Sequence, residues 1–228
     1  MKGARIAPSI LAGDMGNLRG AVETAERGGA DLIHLDVIDG HFAPNITFGP
    51  ATVKALRGVS SLPFDTHLMI SEPLRFVERF IEAGADILTF HVEVLDEKSF
   101  DQLLGSIRSR GKKMGLALRP STELPPWAHH RLSDLDVLIV MTVNPGFSGQ
   151  QLDRTVLPRL ESIAREVGGI KKGLDIEVDG GVELDNAGEL VKRGANILVA
   201  GAAVYGKTDP VRAIRELKDR CAAEQMVR

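Results

Sequence analysis

The stretch from Gly29 to Val37, Gly-Ala-Asp-Leu-Ile-His-Leu-Asp-Val, joins the end of a charged helical segment to an apolar strand. Glycine readily takes the left-handed conformation that ends a helix, so this stretch predicts a helix-to-strand corner. The same corner recurs at residues 84–86 (Gly-Ala-Asp) and 194–196 (Gly-Ala-Asn), each time before a run rich in Ile, Leu or Val. The repeated unit is therefore helix, corner and strand.

Extending this unit along the chain predicts eight strands, with amphipathic segments such as Pro73 to Ala83 and Arg154 to Val167 between them. Strands this apolar, alternating with helices, indicate a parallel sheet covered on both faces. Eight units favour the α/β class and a closed (β/α)8 TIM barrel, expected as one domain over residues 1–228. The strands are predicted near residues 4–10, 31–37, 63–69, 86–92, 113–118, 136–142, 175–179 and 196–200.

An open doubly wound sheet is the alternative fold. It would carry a Gly-x-Gly-x-x-Gly turn after its first strand, where a dinucleotide binds. After Ile10 the sequence reads Leu-Ala-Gly-Asp-Met-Gly instead, which disfavours a nucleotide-binding fold.

Composition narrows the class of protein further. The chain has 228 residues, close to the ~250 of a typical eight-fold barrel, and its formal net charge of -3 gives no basic field for nucleic acid. The single cysteine, Cys221, has no partner for an internal disulfide, which fits a reducing cytosol. We predict neither a signal peptide at residues 1–8 nor a membrane span, and we expect a cytoplasmic location.

Four polar side chains stand where predicted strands end: His34, Asp36, His67 and Asp179. The carboxyl ends of barrel strands surround the active site, and residues two apart in a strand share a face. Mixed imidazole and carboxylate ligands suit a divalent transition metal. Each residue alone could be an ordinary rim or turn residue, but the set predicts metal-assisted proton transfer.

Three other histidines receive weaker predictions. His91 also ends a strand, and we assign it at most to the outer shell of the metal. His129 and His130 lie in the irregular fifth segment, so we interpret them as surface or structural residues.

Glycine-rich turns follow the last three strands, at residues 144–150, 179–181 and 200–203. Small residues let backbone amides approach an anion, and barrels commonly bind phosphate after strands seven and eight. Tight turns alone are the competing interpretation. Beside a metal, these turns suggest a phosphorylated sugar, with Asp36 and Asp179 exchanging protons on opposite faces of a carbon next to its carbonyl.

The motif from His34 to Asn45 reads His-Leu-Asp-Val-Ile-Asp-Gly-His-Phe-Ala-Pro-Asn and is the most specific in the chain. Further motifs lie at residues 7–11, 67–69, 141–147, 177–181 and 200–204. Together these segments closely resemble the ribulose-phosphate 3-epimerase family, nearly end to end.

The resemblance implies a metal-dependent enzyme that interconverts D-ribulose 5-phosphate and D-xylulose 5-phosphate in the pentose phosphate pathway, as a homo-oligomer. It implies one divalent ion per subunit (Zn²⁺, Fe²⁺, Mn²⁺ or Co²⁺) held by His34, Asp36, His67 and Asp179. It makes Asp36 the proton acceptor and Asp179 the donor, with the roles exchanged in reverse. The implied substrate contacts are Ser9, His67, Met69, Met141, Gly146, Phe147, Ser148, Gly149, Gly180, Gly181, Gly201 and Ala202.

Four positions depart from the usual family pattern: Ile38, Ser148, Ala202 and Arg119. Arg119 replaces an asparagine, and a new cation there could alter substrate preference. An epimerase for a six-carbon substrate such as allulose 6-phosphate, and a non-catalytic sugar-phosphate binder, are the alternatives. A hexulose-phosphate synthase is disfavoured because residues 36–39, Asp-Val-Ile-Asp, lack the lysine of its motif.

Overall fold

Eight parallel strands form the centre of the molecule in a computed structural model that describes residues 3–171 and 173–225. Around the sheet the order is β1-β8-β7-β6-β5-β4-β3-β2, and a parallel bridge between Ser9 and His34 joins β1 to β2. The predicted barrel is therefore confirmed. The strands are β1 (Arg5–Pro8), β2 (Ile33–Ile38), β3 (Phe64–Met69), β4 (Ile87–His91), β5 (Lys113–Leu118), β6 (Val137–Met141), β7 (Asp175–Asp179) and β8 (Ile197–Ala200).

Helices cover the outside of the sheet. They are α1 (Leu18–Gly28), α2 (Pro50–Arg57), α3 (Val77–Ala83), α4 (Glu97–Ser109), α5 (Pro126–His130), α6 (Leu157–Ile170), α7 (Ala187–Lys192), α8 (Ala202–Tyr205) and α9 (Pro210–Gln225). The amphipathic segments predicted from Pro73 and Arg154 each begin with a 3-10 turn before the α-helix. In the described ranges, no helix combines the length and the apolar character that a membrane crossing requires.

The three predicted corners have the backbone that glycine permits. Gly29, Gly84 and Gly194 follow α1, α3 and α7 with φ of 79°, 105° and 107°. An L side chain is strained in this left-handed region. The corners turn the chain directly into β2, β4 and β8.

Apolar side chains pack in two layers. Leu138 and Val140 belong to the large cluster between sheet and helices, whereas Ile139 and Met141 belong to a smaller cluster inside the barrel. This alternation is the two-residue period of a strand. On β2 and β3, the same period directs polar side chains into the barrel at the ends from which the following loops depart.

Candidate active site

Three strands supply the four predicted metal ligands. His34 and Asp36 come from β2, His67 from β3 and Asp179 from the last position of β7. In the register of the sheet, Asp36 lies opposite His67. All four side chains are buried, and one ligand atom from each lies within 4.8 Å of the others.

The candidate ligand atoms lie close enough together to bind one ion. His34 Nε2 lies 3.3 Å from Asp36 Oδ1, and His67 Nδ1 lies 3.3 Å from Asp179 Oδ2. The two ring nitrogens are buried and have no hydrogen-bond partner. A buried polar atom without a partner is costly, and a cation between these nitrogens and the two carboxylates would satisfy it. The donor set therefore fits a divalent metal.

The electrostatics of the cluster follow from close opposite charges. Burial acts to lower the pKa of His34, but the carboxylates of Asp36 and Asp65 outweigh it and hold the pKa well above its usual value. Burial also acts to lower the pKa of His67, but Asp179 and Asp36 outweigh it and raise that pKa to about 9. Burial acts to raise the pKa of Asp36, but His34 and His67 lower it strongly. The carboxylates of the cluster thus favour a positive charge beside them.

Two buried carboxyl groups lie behind His34. Asp65 Oδ2 is 2.8 Å and Glu177 Oε1 is 3.2 Å from His34 Nδ1, so the other ring nitrogen faces the cluster. Burial and the neighbouring charge of Asp65 raise the pKa of Glu177 to about 8. Neither residue was predicted from the sequence, although each stands two positions before a predicted ligand and so shares its strand face.

A second set of side chains lies behind His67. Its Nε2 is 2.9 Å from His91 Nε2, and His91 Nδ1 is 2.9 Å from Glu93 Oε2. The structure thus places His91 next to a candidate ligand. Glu93 was missed, because it lies in the 3-10 turn of residues 92–94 after β4, where strand periodicity no longer applies.

A cavity of about 480 Å³ opens beside the cluster at the carboxyl end of the barrel. Asp36 and Asp179 line it, together with all the predicted substrate contacts except His67, which is fully buried. Gly181 has φ of 61°, and a Cβ there would lie 2.3 Å from Leu152 N, so the turn requires glycine. The lining contacts are Ser9, Met69, Met141, Gly146, Phe147, Ser148, Gly149, Gly180, Gly181, Gly201 and Ala202.

The residues that depart from the family pattern divide into two groups. Ile38, Ser148 and Ala202 line the cavity. The guanidinium of Arg119 instead donates a hydrogen bond to Phe42 O at 2.8 Å and lies 4.1 Å from the centre of the Phe42 ring. The guanidinium of Arg119 is therefore bound to both the carbonyl and the ring of Phe42.

His129 and His130 end α5, on the outside of the barrel. His129 pairs with Glu166 of α6, and both side chains are substantially exposed. This matches their interpretation as surface residues.

Fold and site together define a (β/α)8 barrel with two cavity-lining carboxylates in a candidate metal centre. A family model described as the ribulose-phosphate 3 epimerase family matches residues 5–205. The chain is 46% identical over 217 residues to the ribulose-phosphate 3-epimerase of Bacillus subtilis, an alignment covering 94% of this chain and 98% of the relative. It is 42% identical to the chloroplastic ribulose-5-phosphate-3-epimerase of Arabidopsis thaliana, covering 93% of this chain and 75% of that protein.

Solved structures support the fold. The 3-hexulose-6-phosphate synthase of Salmonella typhimurium superposes with a TM-score of 0.69 at 16% identity, covering 96% of this chain and 99% of that one. The KGPDC of Streptococcus mutans in complex with D-R5P gives a TM-score of 0.71 at 14% identity, covering 96% and 97%. From the sequence relatives and the family model, the chain belongs to the ribulose-phosphate 3-epimerase family, and it is an epimerase.

Proposed function

We propose that this chain interconverts D-ribulose 5-phosphate and D-xylulose 5-phosphate by moving a proton at C3 between two aspartates. One observation carries the proposal: among the four clustered side chains, Asp36 and Asp179 line the cavity, whereas His34 and His67 are fully buried beneath it. Two carboxylates from separate strands thus reach the substrate space. Inversion of a carbon centre needs two such groups.

His34 Nε2, His67 Nδ1 and one oxygen each of Asp36 and Asp179 would hold a divalent ion. The ion would supply Lewis-acid stabilisation for the negative charge that develops on substrate oxygen when the C3 proton leaves. Zn²⁺, Fe²⁺, Mn²⁺ and Co²⁺ all suit this mixed ligand set. We propose one such ion per subunit.

Asp36 accepts the C3 proton in one direction, and Asp179 donates a proton to the opposite face of the same carbon. In the reverse direction, the roles exchange. This requires one carboxyl to be ionised while the other is protonated. The hydroxyl of Ser9 donates to Asp36 Oδ2, which favours the ionised form of Asp36 and so its role as proton acceptor.

The glycine turns form the phosphate end of the cavity in this proposal. Gly181, Gly201 and Ala202 line the cavity, where residues with no side chain or only a methyl group let backbone amides approach an anion. Ala202 contributes an amide but no hydroxyl. A phosphorylated ketose of five carbons would then reach from these turns to the two aspartates. A homo-oligomeric state and a cytoplasmic location stay predictions.

Proton NMR in deuterated water tests this function. Metal-loaded protein is mixed with D-ribulose 5-phosphate, and deuterium at C3 and xylulose 5-phosphate are followed, with allulose 6-phosphate run in parallel. The Asp179→Asn variant is the matched control. Rapid conversion of the pentose supports the proposal. Preference for the hexose would mean that the substrate has six carbons. Absence of deuterium exchange with either sugar would contradict the proposed epimerisation.

A further inference from the structure

A line of hydrogen-bonding groups runs from the candidate metal centre to the surface of the barrel. His67 Nδ1 faces the cluster, His67 Nε2 meets His91 Nε2 at 2.9 Å, and His91 Nδ1 meets Glu93 Oε2 at 2.9 Å. The backbone N–H of Arg119 donates to the other carboxylate oxygen, Oε1, at 2.9 Å. Both imidazoles are fully buried, so water cannot replace these contacts.

The chemistry of these groups fixes which atoms carry protons. A carboxylate only accepts hydrogen bonds, so His91 must donate from Nδ1 to Glu93. A neutral imidazole with its proton on Nδ1 accepts at Nε2, so His67 must donate from Nε2. In the neutral form that binds a metal, His67 therefore carries its lone pair on Nδ1, the atom that faces Asp36 and Asp179.

We infer that His91 and Glu93 are positioning residues that hold His67 in the tautomer required for metal binding through Nδ1. The inference rests on the proposed function, because it needs a metal at that site. A ligating histidine is commonly held in this way by a group on its second nitrogen. Here the holding group is a neutral imidazole, itself oriented by a carboxylate.

The surroundings of His91 keep this arrangement rigid and dry. The rings of His67 and His91 meet at their Nε2 edges and are nearly parallel, with an interplanar angle of 16° and centroids 5.0 Å apart. On the other side, the Phe42 ring packs on His91 with centroids 4.5 Å apart, and Arg119 is held against Phe42. The residue that departs from the family pattern therefore helps to cover the relay formed by His67, His91 and Glu93.

His34 provides an internal contrast. Its Nδ1 lies directly against the carboxylate of Asp65, without an intervening imidazole. The two candidate imidazole ligands thus use opposite nitrogens and different partners, so a change at His91 acts on one of them alone.

Zinc affinity, measured by competition with a chelator, tests the relay without use of turnover. His91→Phe keeps the ring packing but leaves the N–H of His67 without an acceptor, and we expect the zinc Kd to rise roughly 10- to 100-fold. His91→Gln restores an acceptor and should recover most of the loss. Thr89→Val is the matched control, because Thr89 is a buried residue of the same strand outside the relay.

The protonation pattern is observed directly by long-range ¹H–¹⁵N NMR of the zinc-loaded parent protein, which does not depend on any variant folding. We expect a proton on Nδ1 of His91 and on Nε2 of His67. A proton on Nε2 of His91, or a His91→Phe Kd within twofold of the parent, overturns the relay alone. Failure of the parent to bind zinc overturns the proposed metal site and the relay with it.

Discussion

The hydroxyl of Ser9 donates a hydrogen bond of 2.5 Å to Asp36 Oδ2, while Oδ1 of the same carboxylate faces His34 and His67. The two oxygens of Asp36 are thereby assigned different partners. One is held by the protein, and the other faces the metal site that we propose.

Replacing Ser9 with alanine removes a donor to the ionised form of Asp36. A hydrogen bond to a charged group contributes ~1.5–3 kcal/mol, so kcat/KM should fall roughly 10- to 100-fold. Steady-state kinetics between pH 5 and 9 check this, and an unchanged kcat/KM would contradict the role given to Ser9.

Replacing Asp36 or Asp179 with asparagine removes a proposed proton carrier and an anionic ligand together. General acid–base catalysis contributes ~10²- to 10⁴-fold, and we expect epimerisation to fall by at least that factor. Turnover and C3 deuterium exchange should be lost together. Turnover near the parent rate in either variant would rule out the two-base assignment.

His129→Ala serves as the control for these two variants. His129 is paired with Glu166 on the outside of the barrel, and a surface ion pair contributes little to stability. We expect turnover within about twofold of the parent. Loss of activity with an unchanged circular dichroism spectrum would mean that the site has been misplaced.

Chelation of the metal should reduce turnover reversibly. His34 Nε2 and His67 Nδ1 have no hydrogen-bond partner inside the protein. Removal of an ion therefore leaves both buried nitrogens without a partner. Activity should return on addition of Zn²⁺, Mn²⁺, Fe²⁺ or Co²⁺, but not of Mg²⁺ alone, which prefers oxygen ligands. Full activity in protein shown by elemental analysis to be metal-free would refute the metal-dependent mechanism.

Asp39 organises the loop after β2. Its carboxylate accepts hydrogen bonds from the amides of His41, Phe42 and Ser71 and from the Ser71 hydroxyl. Partial burial acts to raise the pKa of Asp39, but these hydrogen bonds outweigh it and lower the pKa to about 2.

Because its folded pKa lies below its unfolded value, Asp39 stabilises the protein fully above about pH 4, and this contribution is lost as pH falls towards 2. Asp39→Asn should lower the free energy of unfolding by roughly 1–2 kcal/mol at pH 7. Urea unfolding at pH 7 and at pH 3 measures the difference, which should shrink at the lower pH. If the loss in free energy of unfolding were the same at both pH values, it would not come from the charge of Asp39.

The sequence predicted the barrel because its strands and corners are local signals. β5 and β7 begin and end at the predicted residues, 113–118 and 175–179. β1 is shorter than predicted, because residues 10–12 form a 3-10 turn after it. Helix starts were less accurate where a short turn of another geometry precedes the α-helix.

Residues behind the candidate ligands were harder to predict. Asp65 and Glu177 could have been found, since the two-residue period puts them beneath His67 and Asp179. The contact of Arg119 with Phe42 could not, because it joins residues 77 positions apart in the chain. Spacing along the sequence carries no information about such a contact.

The bridge between Ser9 and His34 has a consequence for folding. In an open sheet of the same strand order, β1 and β2 would lie at opposite edges, and the hydroxyl of Ser9 could not reach Asp36. Ring closure also brings Asp179 of β7 towards β2 and β3. A half-assembled chain therefore lacks both the Ser9 contact to its proposed base and its complete ligand set, so we expect turnover only once the first two strands have met.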